Sequence, residues 1–393
     1  MSSDPLVILA ARRTPVGAFQ GAFATVTAPQ LGSVAIKAAL ADSGVTVAQI
    51  DEVIMGCVLT AGLGQAPARQ AAMGAGIPTS VPATTVNKMC GSAMRALMLA
   101  GDQILAGSAK VIVAGGLESM TNAPYLLPKA RAGYRMGNQE VLDHMFFDGL
   151  QSPWDGQLMG CFAEATSEKY QFSRKAQDEF AAESVRRALA ATTDGSFAAE
   201  IAPVTAKTRK GETVVDKDET PFTLDIAKIP TLKPAFKKDG TVTAASSSGI
   251  SDGAAALVLA RESFAASQGR KPLARILGYT SFAREPEWFT LAPVGAMQKL
   301  LKRLDWQPQD ADLYEINEAF AAVPMAAIRD LGLDHQKVNV NGGACALGHP
   351  IGATGARIVT TLLHALRARG KKRGIASLCI GGGEATAIAI ELM

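Results

Sequence analysis

The sequence predicts an α/β fold built from two similar halves. Two patterns point to it. Apolar runs of strand length alternate with helical stretches up to residue 120, and the alternation resumes from about 273, as in layered sheets. The alternation also repeats within the chain. ALADSGVTVAQIDEVIMG (39–56) resembles LLKRLDWQPQDADLYEIN (300–317) at a constant offset of 261, and AKVIVAGG (109–116) resembles RGIASLCIGG (373–382). Any two αβ units share some likeness, yet both halves also end a core strand in paired glycines, which favours an internal duplication with the active site where the halves meet.

The elements follow in order. PLVILAARRTPVG reads as a buried strand running into a loop. Leu31, Val34, Ala35 and Ala38 fall at helical spacing and predict a helix over 29–42. IDEVIMGCVL (50–59) reads as a strand, 64–76 as a helix, and 82–90 as a strand ending in a turn. A helix over 91–108 and a strand over 109–120 complete the pattern. Residues 121–245 differ: Pro and Gly breaks, Trp154 and scattered charges surround one clear helix near 173–192. This stretch is expected to be an inserted, largely irregular loop domain. The predicted organisation is an N-terminal half over 1–120, completed by about 246–270, the loop domain over 121–245, and a C-terminal half over 271–393.

Composition excludes several classes. Of 393 residues, 48% are apolar and 19% charged, so the chain can bury large cores and is not disordered. A net charge of +3 argues against a nucleic-acid binder. Five widely spaced cysteines show no zinc or disulfide pattern, so reduced thiols in the cytoplasm are expected. No signal peptide and no run of 18 apolar residues is visible, so no membrane span is expected.

Few residues carry chemistry on their own. Cys90, in VNKMCGSAMRA, sits where a strand gives way to a helix, and a helix N-terminus favours thiolate. Read alone, it fits a reactive thiol or a buried structural one equally. His349 lies in the glycine-rich NVNGGACALGHPIGATGAR, just before a helix in the matching half. Cys379 precedes the Gly381–Gly383 run, whose N–H groups can face a reacting carbonyl, although a core cysteine is the simpler reading. Asn317, in INEAFA, serves as a helix cap or orients water. Gly249-Ile250-Ser251-Asp252-Gly253 matches the hydrolase GxSxG, but lacks the preceding strand and following helix that motif needs. His144, His335 and His364 lack metal spacing and are expected at the surface or in caps; no metal site is expected. The four lysines of KIPTLKPAFKK (228–238) read as a solvated face.

Together, AARRTPVGAF, VNKMCGSAMRA, GGLESM, SSSGISDGAA, INEAFA, NGGACALGHPIGATGAR and CIGGGEATA resemble thiolases over nearly the whole chain. The resemblance implies βαβαβαββ-type halves in an α-β-α-β-α arrangement, and a reversible Claisen condensation of coenzyme A thioesters through an acyl-cysteine. It makes Cys90 the nucleophile, His349 its activator and Cys379 the acid/base that moves the α-proton. Asn317 would hold a water that forms one oxyanion hole with His349; the N–H groups of Cys90 and Gly381 would form the other. Leu150, Met159, Leu232, Ala244, Ser248, Ala319 and Phe320 align with positions that touch coenzyme A. Acetyl-CoA and 3-ketoacyl-CoA are then substrates, no separate cofactor is needed, and a homodimer or homotetramer is expected. Leu158 stands where the family usually has His, and Phe289 where Met is common. The implied activity is acetyl-CoA C-acetyltransferase. The alternatives are a degradative 3-ketoacyl-CoA thiolase, a serine hydrolase using Ser251, and a non-catalytic coenzyme A-binding or scaffold protein.

Overall fold

In the computed structural model, residues 4–208 and 211–393 are described. The N-terminal half runs β1 (Leu6–Arg13), α1 (Ala28–Ser43), β2 (Glu52–Gly56), α2 (Pro67–Gly74), β3 (Ala83–Val86), α3 (Ser92–Ala106), β4 (Val111–Ser119). After the 121–245 segment, β5 (Ser251–Arg261) returns between β1 and β4. The C-terminal half follows as β6 (Ala274–Ala283), a helix Ala292–Leu304, β7 (Leu313–Ile316), a helix Ala322–Leu331, a helix Thr354–Ala368, β8 (Arg373–Ile380) and β9 (Glu384–Leu392).

Strand order is β3-β2-β4-β5-β1 in one half and β7-β8-β9-β6 in the other. The two join where Val7 and Ile8 pair with Arg275 and Ala274. Strand β2 is parallel to β3 and β4, and β7 is parallel to β8. The counterpart of β3 in the second half shrinks to a single bridge, Tyr314 with Val338. The duplication also shows in a repeated contact. Asp51 Oδ2 accepts the N–H groups of Lys110 and Val111, and Asp312 Oδ2 accepts those of Lys372 and Arg373. The two aspartates stand at the offset seen in the sequence.

Apolar faces stack the layers. One core packs α3 and helix Thr354–Ala368 between strands of both halves. A second buries α1 and α2 on the outer face of the first half, and a third buries the other two C-terminal helices on the second. Helix Thr354–Ala368 is buried from Thr354 to Leu366, its polar Arg357, Thr360, Thr361 and His364 included. Each buried Leu or Ile there contributes roughly 1.5–3 kcal/mol.

The 121–245 segment is more ordered than its breaks predict. It holds α4 (Met159–Tyr170), α5 (Arg174–Thr193) and two hairpins. The sequence reading missed α4, whose Gly160, Thr166 and Ser167 blur the apolar period. The segment is tied to β1 through Arg13, a fully buried guanidinium. Its Nε donates to Glu200 at 2.5 Å, and its two Nη groups donate to Asp218 at 2.7 and 2.9 Å.

Candidate active site

Cys90 sits on a stiff turn between β3 and α3. Asn87 Oδ1 accepts the Met89 N–H at 3.0 Å, and Ser92 Oγ donates to the Met89 carbonyl at 2.6 Å while accepting the Lys88 N–H at 2.8 Å. Met89 takes φ +47, a left-handed conformation that costs a non-glycine residue about 1–2 kcal/mol. Such strain persists where the surroundings over-determine it, as at functional turns. Gly91 lets the opposing loop approach: a Cβ there would lie 2.3 Å from Ile380 Cδ1.

That approach joins the two cysteine loops. The Gly381 N–H donates to Cys90 Sγ, and Cys379 on β8 is close enough for Cys90 to push its thiol up electrostatically. Burial is the larger cause for both. It pushes Cys90 up to about 11, against the pull of the Gly381 N–H and its own N–H, and it holds Cys379 well above the usual thiol range. The dipole argument for a ready thiolate at Cys90 is therefore outweighed by desolvation. Deprotonation needs a base.

His349 fits that need. Its Nδ1 lies 2.6 Å from Thr354 Oγ, whose own proton goes to the Pro350 carbonyl at 2.9 Å. Thr354 therefore accepts from Nδ1–H, which leaves Nε2 unprotonated. Asn317 Nδ2 faces Nε2 at 3.5 Å. Burial, helped by Arg357, holds His349 down to about 3, so the ring is neutral. Asn317 lies beyond the end of β7, and its N–H donates to the Ser377 carbonyl at 3.0 Å. It caps no helix, since the next one starts at Ala322. Its Oδ1 is buried without a protein partner.

A cavity of about 370 Å³ opens at His349, with Leu150, Met159, Ala244, Ser248 and Phe320 in its walls. Phe289 packs edge-on against Phe320, and Leu158 lines the same cavity. Ala319 stands behind the wall, its carbonyl accepting the Ser248 N–H at 2.9 Å. Leu232 is not in the cavity wall and packs with Ala181, Ile229 and Ala245.

Other sequence candidates separate from this cluster. Ser251 opens a strand rather than following one, and its hydroxyl donates to the Gly249 carbonyl at 2.9 Å. The hydrolase elbow is absent there. His364 and His144 are buried, contrary to the surface expectation. His364 Nε2 donates to the Ala11 carbonyl at 3.1 Å, and His144 lies 2.6 Å from Asp148. Of the four lysines, Lys228 pairs with Asp225 and Lys237 with Glu168. The sequence reading missed Thr354 and Glu118. A hydroxyl five residues after a loop histidine, and a lone carboxylate ending an apolar strand, were the available signals.

Comparison with known proteins decides the family. Residues 6–263 match the thiolase N-terminal domain, and residues 270–392 match the thiolase C-terminal domain. This chain belongs to the thiolase family. A relative from Cupriavidus necator named acetyl-CoA acetyltransferase is 50% identical over 390 residues, covering 98% of this chain and 99% of that one. The crystal structure of the Bacillus anthracis acetyl-CoA acetyltransferase superposes with a TM-score of 0.97 at 44% identity, covering 99% of both chains. A thiolase from Ascaris suum in complex with coenzyme A gives 0.94 at 42% identity, covering 99% of this chain and all of that one. Cys90 with Cys379 and Gly381, and His349 with Asn317, are thus set in a thiolase framework, with Cys90 and His349 each on a loop that leads into a helix of its own half.

Proposed function

We propose that this thiolase is an acetyl-CoA C-acetyltransferase, condensing two acetyl-CoA to acetoacetyl-CoA and coenzyme A, reversibly. One observation carries the reading. Cys90, with the Gly381 N–H on its sulfur and Cys379 close enough to interact with it, packs against the cluster that holds Ile351, two residues on from the neutral His349.

The chemistry balances on these residues. Cys90 gives its proton to His349 Nε2, and its sulfur attacks the thioester carbonyl. The C–S bond to coenzyme A breaks, and the leaving thiolate takes the proton of Cys379. Acetyl-Cys90 and a Cys379 thiolate remain. That thiolate removes a methyl proton from the second acetyl-CoA. The new carbanion attacks the acetyl carbonyl, the C–C bond forms, and Cys90 leaves and recovers its proton from His349. The charge on each oxygen falls to N–H donors of Cys90 and Gly381, or to His349 with a water held by Asn317. No oxidant, reductant or added cofactor enters this balance.

The cavity walls formed by 146–160 and 235–250 are our assignment for the pantetheine arm. Leu232 and Ala319 are assigned to contacts further from the reacting carbon. We place the enzyme in the cytoplasm, as a homodimer or homotetramer. The exposed apolar residues Tyr125, Leu127, Met136 and Val141 support self-association, and light scattering of the purified chain reads it directly. No helix among the described residues is long and apolar enough to cross a membrane.

Thiolysis rates on acetoacetyl-CoA and 3-ketohexanoyl-CoA test the substrate reading. The buried Phe289 backing Phe320 supports a short acyl pocket. Acetoacetyl-CoA should be the better substrate; a preference for the longer chain makes the enzyme degradative.

A further inference from the structure

Strand β4 ends by carrying a carboxylate into the interior. Glu118 is fully buried. Its Oε2 accepts the N–H groups of Val58 at 3.0 Å and Gly352 at 2.9 Å, and its Oε1 accepts the Leu59 N–H at 3.2 Å with Cys57 Sγ at 3.6 Å. Val58 and Leu59 follow β2 in the first half. Gly352 belongs to the His349 loop of the second half.

The backbones are pressed together at this point. A Cβ on Gly116 would lie 2.1 Å from the Gly352 carbonyl oxygen, and one on Gly56 would lie 2.7 Å from it. A Cβ on Gly352 itself would meet Glu118 Oε2 at 2.5 Å. Only glycine allows such contact. The first half therefore grips Gly352 at both its amide and its carbonyl, three residues from the proposed base. Cys90 packs against the cluster of Val58, Leu59 and Ile351, the first two held by this carboxylate, whose charge pushes the Cys90 thiol up.

We propose that Glu118 is a positioning residue that fixes the His349 loop against the Cys90 half and sets the reactivity of Cys90. A buried carboxylate held by three N–H groups and a thiol, with no cation beside it among the described residues, is a costly way to fill space, since an apolar side chain carries no desolvation penalty. Burial indeed pushes Glu118 up to about 7, opposed by its three N–H donors. What the carboxylate supplies and an apolar residue does not is a bond across the two halves beside the site. The proposal rests on the thiolase chemistry above.

The test compares full-length wild type, Glu118→Gln and Glu118→Asp. Three quantities are measured: kcat and KM for acetoacetyl-CoA thiolysis, the pH profile of Cys90 alkylation by iodoacetamide, and the thermal melt. In Glu118→Gln the amide turns a donor toward an N–H, so kcat should fall about 10- to 100-fold, the effect of a misplacement near 1 Å. KM should change little, because the cavity walls lie elsewhere. The alkylation profile should move to lower pH, because a negative neighbour is gone. In Glu118→Asp the charge stays but the reach is shorter, so kcat should fall while the profile stays.

A folded Glu118→Gln with wild-type kcat overturns the proposal. So does a loss of kcat with an unmoved alkylation profile, which marks a merely structural residue. If Glu118→Gln does not fold, Glu118→Asp decides: reduced kcat at unchanged KM supports the proposal, and wild-type kcat overturns it. A wild type without thiolysis activity whose Cys90 profile still moves in Glu118→Gln sinks the functional reading and leaves the effect on Cys90 standing.

Discussion

Thr354 accepts the Nδ1 proton of His349 at 2.6 Å, because its own hydroxyl proton is committed to the Pro350 carbonyl. This bond selects the tautomer that leaves Nε2 free to take a proton. Thr354→Val removes the acceptor and leaves a buried N–H unpaired, a penalty of about 1–3 kcal/mol. We expect kcat to fall about tenfold or more in Thr354→Val and to recover in Thr354→Ser. Steady-state thiolysis on all three proteins checks it. A fully active valine variant would show that the tautomer is set elsewhere.

Cys90 should be the cysteine that iodoacetamide labels first. Its thiol is pushed up to about 11 by burial, so labelling should keep accelerating with pH well past neutrality. Of the other cysteines, Cys57, Cys345 and Cys379 are buried. Peptide mapping at limiting reagent, with and without acetyl-CoA, measures both order and protection. Earlier labelling elsewhere, or no protection of Cys90, would remove it as the nucleophile.

His349→Ala should slow both acylation and condensation, by about 10²- to 10⁴-fold for loss of a positioned proton carrier. A conservative variant, His349→Asn, should also change the pH dependence of stability. Burial holds the native ring down to about 3, while in the unfolded chain it titrates near 6.5. Between these values only the unfolded chain binds the proton, so the residue works against folding increasingly as pH falls from about 6.5 toward 3. Melting temperatures of His349→Asn should therefore drop less steeply with acid than those of the wild type. Parallel curves would mean the native ring titrates normally.

Cys379→Ala should separate the half-reactions. Labelling of Cys90 by radioactive acetyl-CoA needs no carbon acid and should survive, slowed only by the loss of the proton that Cys379 gives the leaving thiolate. Acetoacetyl-CoA synthesis needs the methyl proton removed and should fall about 10²- to 10⁴-fold. Loss of labelling in a folded variant would make Cys379 a support for the nucleophile. Normal synthesis would make it a packing residue.

The sequence carried the architecture because each half repeats strand and helix with clean periods, and because Cys90 and His349 each stand in a loop shortly before a helix. Thr354 was not legible, since its role depends on which way one hydroxyl proton points. Glu118 was hidden for a related reason: its partners at 57–59 and 352 are distant in sequence, and three of its four bonds go to backbone, which leaves no side-chain signature. Helix α4 was masked by Gly160 and by the hydroxyls of Thr166 and Ser167. Leu232 was placed by alignment alone, and the short helical run Ile226–Thr231 before it turns it toward Ile229 instead.

The Arg13 clamp bears on how this chain can be re-engineered. Its ion-pair partners among the described residues are Glu200 and Asp218, both in the segment between the halves. Deleting or transplanting that segment would strand a cation in the interior. A broken buried pair costs about 3–5 kcal/mol, against an ordinary folding margin of about 5–15 kcal/mol. A chimera that imports a foreign loop domain must therefore bring carboxylates at both positions or replace Arg13 with them. In evolutionary terms, the three residues can drift only as a set.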